Sequence, residues 1–260
     1  VVARAGREDE IVNIISSYRP FDGCSPEIWE NQITANRSWM NAVGSEKTPK
    51  NQFSSDKAFE NPVGTSERIF YFNERDQRMS SAKTVFLPFR SKPPIKTMAR
   101  FAAGLGGWTA LINADIILTL NFRRVELELN NKLAACAVSR RFTLVRTTGP
   151  IIADYSNARI TDNGVDFFAA TPKVWEKVAA DMPPEFLLGK TAWDRYLVNF
   201  FMLHFGNYCY DLTDSKICLH PLHEDRADQT WDCPHNNEIM RKNQWPFHSL
   251  TIQKEVWSQT

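Results

Sequence analysis

The chain has 260 residues, with 31 Lys and Arg against 30 Asp and Glu, for a formal charge of +1. That length is enough to bury about three quarters of the unfolded surface, and 43% hydrophobic residues with 17 Phe exclude wholesale disorder. The balanced charge argues against a protein that coats polyanions, while leaving room for a local basic groove.

Glu10 to Ser17 (EIVNIISS) is an apolar run of strand length, and Tyr18-Arg19-Pro20 with Asp22-Gly23 marks the loop after it. Ser25-Pro26-Glu27 predicts a helix start, with Ser as cap and Pro in the first turn. Ile28, Ile33, Trp39, Met40 and Val43 supply the apolar side of this helix and Gly44 ends it. A strand, a loop and a helix in this order open many α/β nucleotide-binding folds. From Ser45 to Ser66 periodicity is lost among Ser, Asn, Lys and Pro, which predicts a loop. Strands follow at 68–72 and 84–89. A helix starts at Pro93-Pro94, runs through Ala102 and stops at the Gly104, Gly106 and Gly107 cluster. Trp108 to Ile112 is strongly β-prone and ends in Asn113-Ala114-Asp115, after which Ile116 to Leu120 resumes the apolar character. The remaining pattern predicts a helix over 123–132, strands over 134–138, 142–145 and 164–169, helices from Thr171-Pro172 and over 191–205, and a short strand at 217–219. No repeat or Pro/Gly-rich linker forces a boundary. The expectation is one α/β domain over 1–260, with 45–66 as a loop excursion and 241–260 as a C-terminal extension.

Five cysteines without a tight CxxC pair do not make a disulfide framework, so a cytoplasmic or other soluble compartment is the default. No run approaches the roughly 18 apolar residues of a membrane span. The chain opens at Val1, and a trimmed N-terminus would leave targeting undecided.

Three clusters carry candidate chemistry. Asn113-Ala114-Asp115 sets a carboxylate at the end of a buried strand, where it is costly unless it reaches solvent, is hydrogen-bonded or binds a cation. The bland alternative is a turn that caps its own backbone. His220, His223, Glu224 and Asp225 follow a short strand and could complete a mixed oxygen and nitrogen metal site. Pro221 and the HxxH spacing exclude the helical HExxH signature there. Asp194 opens an aromatic-rich helix, where it either orients a hydroxyl and takes its proton or simply caps the helix. Arg100, just before the glycine cluster, suits a diphosphate or a solvated helix face. The glycines themselves lack the spacing of a dinucleotide loop. Arg123, Arg124, Arg140, Arg141 and Arg146 form a basic stretch that reads as an acceptor or nucleic-acid surface, or as a solvated edge.

Asn31-Gln32-Ile33 with Ser38-Trp39, LINADIIL at 111–118, GVDFFAATPKVW at 164–175, FLLGKTAWDRYLV at 186–198 and CLHPLHED at 218–225 occur in an order that resembles nucleotide-sugar glycosyltransferases of the GT-A type. The likeness is to a broad group of sugar transferases of plants, microbes and large viruses, and it runs from residue 11 to about 240. It implies a Rossmann-like GT-A fold, with a mixed central sheet flanked by helices, that moves a sugar from a nucleoside-diphosphate sugar, UDP-sugar by default, to an acceptor hydroxyl. On this resemblance the acidic metal motif falls on Asn113 and Asp115, with Asp115 and His223 holding Mn²⁺ or Mg²⁺ and His220 the alternative histidine. Ser17, Tyr18 and Arg19 would contact the nucleoside, Arg100 and Asn113 the donor, and Asp194 the acceptor, which could be a glycan, lipid, protein or modified DNA base. Asn113 departs from a full Asp-x-Asp pair and supplies less charge. Two other classes fit fewer features. They are a GT-A-like protein that binds nucleotide sugars without turnover, and a metal-dependent phosphoesterase.

Overall fold

The parallel half of the protein follows from its apolar strand runs. β1 (Val12–Ser16), β2 (Ile69–Tyr71), β3 (Thr84–Phe86) and β4 (Trp108–Ile112) pair in parallel, with Ile14 opposite both Ile69 and Ala110, and Ile69 opposite Thr84. The computed structural model describes residues 12–19, 24–43, 68–81, 84–89, 92–119, 121–122, 134–144, 158, 164–184, 186–188, 193–221, 236 and 238–239. The excursion expected over 45–66, the helix expected over 123–132 and the extension at 241–260 lie outside these residues.

The second half is mixed. β8 (Val165–Ala170) runs antiparallel to both β4 and β6 (Cys136–Arg140), and β9 (Cys209–Asp211) returns parallel to β6. The resulting seven-stranded order is β3-β2-β1-β4-β8-β6-β9. β5 (Ile117–Leu118), β10 (Cys218–Pro221) and β7 (Phe142–Leu144) form a separate three-stranded sheet, so the run at 142–145 leaves the central sheet. The run expected over 84–89 pairs with β2 only over Thr84–Phe86, and at its end the Leu87 N–H donates to the Tyr71 carbonyl at 2.7 Å. The fold is a mixed α/β sheet flanked by helices, with a Rossmann-like first half. Strand order there reverses between β1 and β4, and a crevice outside the carboxyl ends of strands at such a switch point is where open α/β sheets bind ligands.

Alternation along the strands divides the core between the two sheet faces. Ile15, Leu111 and Phe168 pack with α2 (Ile95–Ala103), α3 (Pro172–Asp181) and α4 (Trp193–Phe205). Ile14, Ala110, Ile112 and Phe167 pack on the other face with α1 (Pro26–Ala42) and the small sheet. α1 begins as its sequence predicts. The Ile28 N–H donates to Ser25 Oγ at 3.3 Å, and Pro26 occupies the first turn, where a missing N–H costs nothing. α2 stops at Gly104, and Gly107 then turns at φ 72°, a conformation glycine adopts without a Cβ penalty.

α1 also holds the chain just after the acidic turn. Fully buried Trp39 donates its indole N–H to the Ile116 carbonyl at 2.7 Å, and the Leu118 N–H donates to Ser38 Oγ at 3.0 Å. Replacing Trp39 with Phe keeps most of the ring's packing and leaves a buried carbonyl without this donor. The expected cost is about 1–3 kcal/mol, read as a lower urea midpoint with an unchanged slope; an unchanged midpoint would count against the bond.

Candidate functional site

β1 and β4 end side by side. Ser16 Oγ donates to the Ile112 carbonyl at 2.6 Å, and the parallel register sets Ser17 level with Asn113. Beyond β4 the chain turns through Asn113-Ala114-Asp115, closed by the Ile116 N–H donating to the Asn113 carbonyl at 3.1 Å. β10 brings His220 to the same place, with its Nε2 3.3 Å from Asp115 Oδ2. His223 lies outside the described residues, so the histidine seen beside Asp115 is the alternative of the expected pair.

β8 supplies a residue that sequence reasoning missed. Antiparallel pairing sets Ile112 opposite Phe167, so Asn113 comes level with Asp166, and the Asn113 N–H donates to the Asp166 carbonyl at 3.3 Å. The Asn113 side-chain amide donates to Asp166 Oδ1. On its other side β8 is bulged, with Phe167 opposite Ser139 but Val165 opposite Arg140. Bulges re-aim side chains beside strand ends. Here the alternation slips, Val165 joins the helix-side core with Phe168, and Asp166 turns to Asn113 and Arg141. Arg141 Nη1 donates to Asp166 Oδ2 at 2.9 Å. The signal was a carboxylate inside an otherwise apolar buried strand, which demands partners. Arg141 belonged to a stretch read as an acceptor surface or a solvated edge; one of its roles is to pair with a buried acid.

Burial pushes the Asp166 carboxyl up to about 6, against the pull of Arg141 and then His220, while the Asp115 and Asp194 charges push the same way as burial. Asp194, in the first turn of α4, is also raised by burial; backbone N–H groups of Arg195, Val165 and Asp194 itself restrain the rise. The Val165 contact ties Asp194 to the bulge of β8. Asp115, Asp166 and Asp194 therefore share one electrostatic neighbourhood.

The loop after β1 is clamped by two side-chain amides. Asn73 accepts from the Tyr18 N–H and donates to the Tyr18 carbonyl, both at 2.9 Å. Gln32 does the same for Arg19, at 2.7 and 3.2 Å. Tyr18 was expected to contact a nucleoside. Its ring is buried edge-on to Tyr71 and its hydroxyl donates to the Glu74 carbonyl at 2.5 Å, so it holds the loop and offers no exposed face for a base. Ser17 is buried at the strand end and Arg19 is half-buried. Arg100 does not join the group. It is exposed in the last turn of α2, which runs back from the carboxyl end of β3 to the start of β4, leaving the length of β4 between it and Asn113.

Two adjacent ligands of an octahedral ion, each about 2.1 Å away, stand about 3 Å apart; the 3.3 Å between Asp115 Oδ2 and His220 Nε2 fits that spacing. Among the described residues no three His, Cys, Asp or Glu side chains gather as a full ligand set. An ion held here would take its other ligands from phosphate oxygens and water, which suits Mg²⁺ or Mn²⁺.

A raised carboxyl fixes the sign of a pH effect. Between about pH 4 and pH 6 the folded protein holds a proton on Asp166 that the unfolded chain has released, so stability falls as pH rises through this window. With chelator present, the unfolding free energy of the protein relative to its Asp166→Asn variant should drop by up to about 3 kcal/mol from pH 4 to pH 7. A difference that stays flat across the window would refute the assignment.

No protein-family model matches the sequence, and no curated protein matches it. Among solved structures, the chain is similar to one assigned as a glucose-1-phosphate thymidylyltransferase from Bacillus anthracis in complex with sucrose, with a TM-score of 0.42 and 9% identity over 88% of this chain and 95% of that one. It is also similar to 4-diphosphocytidyl-2C-methyl-D-erythritol synthase from Anaerococcus prevotii, with a TM-score of 0.34 and 12% identity over 89% and 99% of the two chains. Likeness at this level assigns no activity to the chain.

Proposed function

We propose that this protein is a metal-dependent glycosyltransferase that moves a sugar from a nucleoside-diphosphate sugar, UDP-sugar by preference, to an acceptor hydroxyl on a glycan, lipid, protein or modified DNA base. The observation that supports it is the meeting of Asp115 and His220 3.3 Å apart, beside Asn113, beyond the carboxyl ends of β1 and β4, where the strand order reverses. Asp115 and a histidine, His220 here or His223, would hold a divalent cation, which would supply positive charge to offset that of the departing diphosphate. Ser17, Arg19 and Asn113 would line the edge where the donor lies.

In the transfer, an acceptor oxygen bonds to the anomeric carbon as the bond from that carbon to the diphosphate oxygen breaks, and the electron pair leaves with the diphosphate. The acceptor proton passes to the Asp194 carboxylate. Burial strengthens Asp194 as a base, because a carboxylate that binds its proton more tightly drives the transfer further.

Calorimetry with UDP and Mn²⁺, followed by donor turnover with pooled glycan, lipid and hydroxymethylated DNA acceptors, tests the reading. Asp115→Ala should abolish the Mn²⁺-dependent part of UDP binding, and equal binding by both proteins would remove Asp115 as a ligand. Asp194→Asn should bind donor normally and transfer about 10²- to 10⁴-fold more slowly. Donor binding without transfer to any acceptor would favour a degenerate transferase, for which Asn113 is the motivating residue. Failure to bind any nucleotide sugar would overturn the proposal.

A further inference from the structure

Asn113 stands where an acidic pair would carry its first carboxylate, yet a carboxylate has not left the neighbourhood. It sits across the ladder at Asp166, 3% exposed, with one oxygen toward Asn113 and the other toward Arg141. An ionised carboxylate only accepts hydrogen bonds, so Asn113 must turn its NH₂ inward, and its carbonyl oxygen is then the atom directed away from β8. Asn113 is half-buried at the end of β4, beside Asp115. A second carboxylate at 113 would face Asp166 at hydrogen-bond distance, and the two could not both ionise.

We propose that Asp166 is a positioning residue that acts through Asn113: the Arg141–Asp166 ion pair fixes the direction of the Asn113 amide, so that a neutral carbonyl oxygen faces the nucleoside-diphosphate ligand. The inference rests on the function proposed above. Arg141 makes the direction one-way. In an Asp166→Asn variant the guanidinium keeps the amide oxygen of residue 166 on its own side, which turns that residue's NH₂ toward Asn113. Asn113 then flips, oxygen inward, and presents NH₂ to the ligand. Asn113→Asp fails for the opposite reason, carboxylate against carboxylate. The exchange of both, Asn113→Asp with Asp166→Asn, restores a donor facing an acceptor and again directs an oxygen outward.

The test is a double-mutant cycle read by calorimetric binding of UDP with Mn²⁺, or of GDP with Mn²⁺ if UDP does not bind, on the intact chain at pH 7.5, with urea unfolding of each variant alongside. Asp166→Asn is expected to unfold at no lower urea concentration than the original protein, since it removes a buried charge, and yet to bind at least tenfold more weakly. Asn113→Asp should also lose at least tenfold, and the exchange variant should bind within about threefold of the original. Single variants that bind as the original does, or an exchange variant whose loss is the product of the single losses, would overturn the inference while leaving the transferase reading intact. An original protein that binds neither nucleoside diphosphate would overturn both.

Discussion

The register between β4 and β8 is the constraint on which the site depends. Four cross-strand pairs, from Thr109 opposite Ala170 to Ile112 opposite Phe167, hold it, and their side chains fill the core on both faces of the sheet. A one-residue slip would send every one of them to the wrong face. Asn113 meets Asp166 because the core leaves it no other neighbour. The polar pair thus inherits its alignment from apolar packing, and the bulge in β8 adds the final rotation that brings Arg141 to the same carboxylate. Site precision of this kind comes from strands rather than from loops, which is the stiffer arrangement.

The same logic governs the loop after β1. The backbone groups of Tyr18 and Arg19 need partners once the strand ends. Asn73 and Gln32 provide them with side-chain amides that imitate strand pairing, one from beyond β2 and one from α1. Buried Asn36 continues the polar stripe of α1 by donating to the Met79 carbonyl and accepting from the Tyr71 hydroxyl. A helix that buries Gln32 and Asn36 next to Trp39 does more than cover the sheet: it fixes the switch-point loop and, through Ser38 and Trp39, the chain after the acidic turn.

The parallel half of the fold was legible in the sequence because its signals are local. EIVNIISS and WTALI read as buried strands, and Ser25-Pro26 and Thr171-Pro172 mark helix starts where the helices begin. Asn113 and Asp115 stood out because they interrupt apolar runs. What the sequence hid was non-local. Nothing in VDFFAA marks the bulge that turns Asp166, since bulging depends on how β6 pairs with it. Arg100 is near Asn113 along the chain, but an α-helix that crosses back over a parallel sheet carries its last turn to the amino ends of the strands. Tyr18 read as a binding-loop aromatic because composition does not tell whether a ring faces outward or into the Tyr71 cluster.

Three carboxylates in one neighbourhood, one of them almost fully buried, are by themselves an unfavourable arrangement. Arg141 offsets part of the cost for Asp166, and His220 a smaller part. The rest is a standing electrostatic debt that a core built only for stability would not carry, since burial outweighs the ion pair in setting the Asp166 proton affinity. Such a site gains most from a ligand of positive charge at Asp115 and from hydrogen-bond donors at the exposed side of Asn113. Binding either one returns stability to the folded state by mass action. On the proposed function, then, the arrangement is favourable with cation and donor bound in a way it is not without them, and the sheet register holds it in either case.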